Sequence, residues 1–249
     1  MSARVIMVAS RKGGVGKTTV TANLGLSLAR LGHRTLMIDC DFAMRCLDIV
    51  SGLADDVAYD LSDCLFRGIS PARAAVTDPR CERLFFIAAP YRCEEAVTAE
   101  GFGDFLKAAE RELELDCILI DTHGGEGTEI VPASRFAGLA LVVATHQEAS
   151  IRAAEETAFR LTELGVRECR LIVNCYDKKA AKKKRLPGVI ELIDRTGVRL
   201  IGVIPYDEAS TEMQITGKLA AEDKKSPAGL AYNNIARRIS GASVPLSVN

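Results

Sequence analysis

Residues 10–19 read Ser10-Arg11-Lys12-Gly13-Gly14-Val15-Gly16-Lys17-Thr18-Thr19. Glycines let backbone N–H groups close around phosphate oxygens, because no Cβ blocks the approach. The apolar run 5–9 precedes this loop and a helical pattern follows it. The loop therefore ends at a helix N-terminus, with unpaired N–H donors and the positive end of the helix dipole. Lys17 has the reach for the β- and γ-phosphates, and the Thr18 hydroxyl suits Mg²⁺. The chemistry indicated is binding of a nucleoside triphosphate, with Gly13, Gly14, Val15, Gly16, Lys17, Thr18 and Thr19 as the cradle. A glycine-rich turn without a ligand is the plainer reading, but the strand before and the helix after speak against it. Arg11 stands where the strict G-x-x-x-x-G-K-[ST] pattern has glycine.

Three carboxylates fall where such a loop needs them. Asp39 and Asp41 end a second apolar run, and Asp121 follows Cys117-Ile118-Leu119-Ile120. Carboxylates at strand ends can hold Mg²⁺ through water or orient an attacking water. Alternatively, they cap their strands.

The positioning elements are legible in the hydrophobic pattern. Short apolar, β-branched-rich runs occur at 5–9, 35–38, 84–88, 117–120, 139–144, 171–173 and 200–204. Each is nearly continuous in apolar character, as in parallel strands covered on both faces. Helical spacing links Val20, Leu24, Leu28 and Leu31 before Gly32. It recurs through Phe102, Phe105, Ala109 and Leu113, and through Ile151, Ala154, Ala158 and Leu161 before Gly165. Ser226-Pro227 opens a last helix through Ile235 and Ile239. Alternating strand and helix predict a doubly wound α/β fold. We expect a mostly parallel sheet of seven or eight strands with helices on both faces, and ligands beyond the C-terminal strand ends. No Pro-, Gly- or Ser-rich linker interrupts the chain, so one domain over 1–249 is expected.

The form Lys12-Gly13-Gly14-Val15-Gly16-Lys17-Thr18-Thr19 resembles the deviant Walker A motif of the MinD/ParA/nitrogenase iron protein group of P-loop ATPases. That resemblance implies that Lys12 reaches the nucleotide of a second subunit; a solvated loop lysine is the alternative. The segment Ile38-Asp39-Cys40-Asp41, followed by Leu47-Asp48, is similar to the family's switch I. It implies that Asp41 positions the attacking water and, as part of the metal environment, lies near Mg²⁺, while Asp39 supports the loop. By the same likeness Asp121 is the Walker B aspartate, holding a magnesium-bound water. Switch II would follow as Thr122-His123-Gly124-Gly125, with Gly125 offering its N–H to the γ-phosphate. His123 stands where the family has proline, and a histidine there reads first as a conformational element. Asn174 resembles the residue that reads the adenine edge, and Gly202-Val203-Ile204-Pro205-Tyr206-Asp207 the stretch near the base, adding Pro205 and Asp207 to the site. The likeness spans about 5–207 and is strongest to the MinD branch.

The resemblance implies an ATPase using ATP and Mg²⁺, with Lys12, Lys17 and Asp41 catalytic and Thr18, Asp41 and Asp121 around the metal. It would dimerise on ATP, be stimulated by a regulatory protein, and act in septum site placement. A ParA-like DNA partitioning ATPase and an iron-protein-like cluster ATPase are the alternatives.

Composition bounds the partners. The 249 residues carry a formal net charge of −1, so no global field favours nucleic acid or an anionic surface. A local patch does exist: six of the eight residues 178–185 are basic, namely Lys178, Lys179, Lys182, Lys183, Lys184 and Arg185. Such a run is most often a solvated loop, and otherwise contacts DNA phosphates or lipid headgroups. The MinD branch typically ends in a basic amphipathic membrane helix, whereas residues 240–249 hold Pro245 and neither Lys nor Arg. No apolar run is long enough to span a bilayer. A cytoplasmic protein, peripheral at most on the inner face of the membrane, is expected. The eight cysteines include no CxxC pair and read mainly as small buried hydrophobes.

Overall fold

The computed structural model describes residues 3–124, 130–209 and 216–246. Eight strands form one sheet: β1 (Arg4–Ala9), β2 (Thr35–Cys40), β3 (Val76–Thr77), β4 (Leu84–Ile87), β5 (Cys117–Thr122), β6 (Leu139–Ala144), β7 (Cys169–Tyr176) and β8 (Leu200–Pro205). Their order is β3-β4-β2-β5-β1-β6-β7-β8, and every pairing is parallel except β3 with β4. All seven apolar runs are strands. The eighth, β3, is a two-residue edge strand, too short to leave a periodic signal.

The helices are α1 (Lys17–Arg30), α2 (Leu47–Ser51), α3 (Leu61–Phe66), α4 (Pro71–Ala74), α5 (Ala99–Leu113), α6 (Ile130–Ser134), α7 (Glu148–Glu163), α8 (Lys178–Lys182), α9 (Val189–Thr196) and α10 (Pro227–Ile239). Alternate strand residues feed two cores. Val5, Met7 and Ala9 pack with α5, α7 and α9, whereas Ile6 and Val8 pack with α1 and α10. The period-two alternation of strand side chains thus sorts the helices onto both faces.

Two strand ends run past the apolar pattern. β2 continues through Asp39 and β5 through Asp121, because both are buried and their backbones complete the ladder in register, Asp39 opposite Asp121. β7 likewise continues through Asn174. Polar residues that marked strand ends by hydropathy lie inside the sheet, one or two residues before their strands stop at Cys40, Thr122 and Tyr176.

Candidate functional site

The loop 10–16 leaves β1 and turns into α1 through two left-handed glycines, Gly14 at φ 72° and Gly16 at φ 91°. Both conformations are costly for any residue with a Cβ. Gly16 has a second constraint: a Cβ there would lie 2.4 Å from Asn174 Nδ2. That amide donates to Val15 O at 2.8 Å, so the end of β7 holds the loop. On its other side the loop is anchored to α7, where Arg11 N–H donates to Thr157 Oγ1 and the Arg11 guanidinium pairs with Glu156 at 3.4 Å. Arg11, the departure from the ordinary pattern, therefore fastens the loop to its neighbouring helix. Lys12 is half-buried at the loop's edge.

Lys17 is buried, and desolvation lowers its pKa against the opposing pull of Asp121 and Asp41. Asp121 accepts from Thr21 Oγ1 at 3.1 Å. Burial lifts its pKa to about 6 although the hydroxyls of Thr18 and Thr21 and the charge of Lys17 oppose this. Its other oxygen, Oδ2, is buried without a hydrogen-bond partner among the described residues. An orphaned carboxylate oxygen calls for a donor, and water on a magnesium ion is a donor of the right kind. Asp39 is pushed further, to about 7, by burial and then by the charge of Asp121. Its two oxygens accept from Asp41 N at 2.8 Å and Leu47 N at 3.0 Å, bracing both ends of the loop between β2 and α2.

Asp41 sits at the start of that loop. Its Oδ1 accepts from Ala43 N at 3.2 Å, Met44 N at 3.0 Å and His123 Nδ1 at 2.9 Å. Beyond His123 the chain passes close to the phosphate loop. A Cβ on Gly124 would lie 3.1 Å from Gly13 Cα and 3.2 Å from Lys17 Nζ. Gly125 lies outside the described residues.

A cavity of about 360 Å³ continues from the loop, lined by Gly14, Gly16, Thr19, Asn174, Pro205 and Asp207 among others. Five separate sequence motifs thus converge: the loop, the ends of β2, β5 and β7, and the segment after β8. Asp207 is fixed by Ser226 Oγ, which donates to it at 2.8 Å and also caps α10. Thr21 carries a part of the site that the motifs did not assign, and His123, read as a conformational element of switch II, bonds Asp41. Thr21 could have been found as the hydroxyl one helical turn beyond Lys17.

The glycine cradle, the buried Lys17 and the orphaned Asp121 oxygen fit a magnesium-bound nucleotide. The basic run lies on α8 and the turn after it, with Lys182, Lys183, Lys184 and Arg185 exposed. At the other end, Arg238 donates to Ile201 O, Val244 O and Pro245 O, so the described tail is extended along α10 and β8. Among the described residues no helix is long and apolar enough to cross a membrane.

Comparison with known proteins agrees with this fold. The sequence profile of the CobQ/CobB/MinD/ParA nucleotide binding domain matches residues 6–220. The chain is 35% identical to the septum site-determining protein MinD of Synechocystis over 244 residues, 97% of this chain and 91% of that protein. It superposes on a chain of the MinC:MinD cell division protein complex of Aquifex aeolicus with a TM-score of 0.91 and 32% identity, covering 98% of this chain and 99% of that one. It is also similar to MinD of Pyrococcus horikoshii complexed with Mg-ADP, at a TM-score of 0.78 and 27% identity over 95% and 96% of the two chains.

Proposed function

Because the chain belongs to the CobQ/CobB/MinD/ParA nucleotide-binding family, on its MinD side, we propose that it is an ATP-dependent dimerising switch for placement of the division septum. The observation that carries this reading is the meeting of Lys17, Asp41 and Asp121 beneath a glycine loop that opens into the Asn174–Asp207 cavity. The family and its members' names support nucleotide hydrolysis and a role in division. Mg²⁺ dependence, dimerisation and stimulation by a partner are our extension to this chain.

In this mechanism the backbone of 13–19 and the Lys17 ammonium hold the β- and γ-phosphates. Thr18 Oγ1 and, through water, Asp121 would hold Mg²⁺, whose chemistry there would be to neutralise charge on the phosphate oxygens. Asp41 accepts a hydrogen bond from the attacking water and orients it. Lys12, at the loop's edge, would act on the nucleotide of a second subunit, so hydrolysis would be slow in the monomer. Asn174 Nδ2 keeps a second proton for the adenine edge while the first holds Val15 O. Asp207, tied to α10, closes the base side with Pro205.

We place the surface on which the switch acts at the exposed basic run after β7, where six of the eight residues 178–185 are Lys or Arg. Sedimentation with anionic vesicles and, in parallel, with duplex DNA tests this. ATP-dependent capture by vesicles, weakened by salt and by neutralising Lys182, Lys183, Lys184 and Arg185, is expected. Salt-dependent capture by DNA alone would favour the partitioning reading, and capture by neither would reject both surfaces.

A further inference from the structure

The two carboxylate oxygens of Asp41 are in different situations. Oδ1 takes three donors: the N–H groups of Ala43 and Met44, which belong to its own loop, and His123 Nδ1, which comes from the far side of the site. A carboxylate oxygen only accepts when ionised, so the imidazole presents Nδ1–H to it. None of these three bonds uses Oδ2. The Asp41 main chain is fixed as well, by its N–H to Asp39 Oδ1 and by its carbonyl, which accepts from Arg45 N at 2.9 Å.

His123 itself follows β5 directly and precedes Gly124, whose backbone rests against Gly13 and Lys17. The imidazole is one-third exposed and the Asp41 side chain is 15% exposed, so the pair is shielded without being sealed. One hydrogen bond therefore joins the loop after β2 to the loop after β5, and its histidine end is bonded in sequence to the segment that meets the phosphate loop.

We propose that His123 is a positioning residue for hydrolysis: it clamps Oδ1 of Asp41 so that Oδ2 is the oxygen left to accept from the attacking water. It also makes that alignment depend on the segment packed on Gly13 and Lys17. The proposal rests on Asp41 orienting water in an ATPase, as set out above.

Three proteins decide it: the wild type, His123→Ala, and His123→Asn, whose amide donor occupies the same branch position beyond Cβ as Nδ1. Single-turnover hydrolysis of ATP with Mg²⁺ and equilibrium binding of a fluorescent ATP analogue are measured on each. Loss of an aligning hydrogen bond should lower the hydrolysis rate of His123→Ala on the order of tenfold, with nucleotide affinity within about twofold. His123→Asn should recover most of the rate. A wild-type rate in His123→Ala, no recovery in His123→Asn, or an affinity that falls in step with the rate would each overturn the positioning role. A wild-type protein that binds ATP and never hydrolyses it would instead remove the ATPase reading, and this proposal with it.

Discussion

Asp39 and Asp121 lie opposite each other on neighbouring parallel strands, both shut away from water. Each raises the proton affinity of the site through burial, and the charge of Asp121 adds to the shift at Asp39. The same pair sits at the foot of the phosphate loop, where a cation held by Asp121 would offset the charge that it sets against Asp39.

That relationship has a pH signature. Both groups titrate near 3.8 when unperturbed, and in the folded protein at about 7 and about 6. Between those values the native state binds more protons than the unfolded chain. Stability is therefore greatest below pH 4 with respect to these groups and is lost as pH rises through 6 and 7. Across pH 5.5–7 the loss is of the order of a few kcal/mol, or roughly 5–10 °C in Tm. Melting the nucleotide-free protein between pH 5.5 and 8 should show this decline, and saturating Mg-ADP should flatten it. Parallel profiles with and without Mg-ADP would contradict the placement of the cation beside Asp121.

Lys17→Ala removes the buried ammonium that faces Asp121 and Asp41. Nucleotide affinity should fall by roughly 100-fold, the size of a lost charge-assisted contact to phosphate. Titration with a fluorescent ADP analogue reads this directly, and an affinity within about twofold of wild type would reject Lys17 as the phosphate ligand.

Two glycines of the same loop should respond differently. Gly16→Ala forces a Cβ at φ 91° to within 2.4 Å of Asn174 Nδ2 and breaks the amide's bond to Val15 O. We expect a stability loss of about 1–3 kcal/mol. A Cβ on Gly13 would meet nothing within 4 Å, and Gly13 has no positive φ, so Gly13→Ala should keep its Tm while losing nucleotide affinity, because a methyl hinders the close approach of backbone N–H groups to phosphate. Equal melting losses for the two variants would show that the loop is not held by Asn174.

The fold was legible wherever burial leaves a run of apolar residues. The seven runs became β1, β2 and β4–β8 because both sheet faces are covered. β3 was not readable, since Val76 and Thr77 pair only along an edge. The phosphate loop was legible because its glycines and Lys17 are demanded by backbone geometry. What the motifs left unassigned are contacts between segments distant in sequence. Thr21 reaches Asp121 across 100 positions and His123 reaches Asp41 across 82, and no local spacing encodes either. Arg11 looked like a simple departure from the P-loop pattern until α7 supplied Thr157 and Glu156 as its partners.

The most direct test of the switch is the mass in solution of Asp41→Ala. This variant keeps Lys17, Thr18 and Asp121 for binding and loses the carboxylate that orients water, so ATP should bind and persist. Multi-angle light scattering should give twice the monomer mass with Mg-ATP, and the monomer mass with Mg-ADP or when Lys17→Ala is added. A variant that remains monomeric with saturating Mg-ATP, or that still turns ATP over at the wild-type rate, would contradict the account.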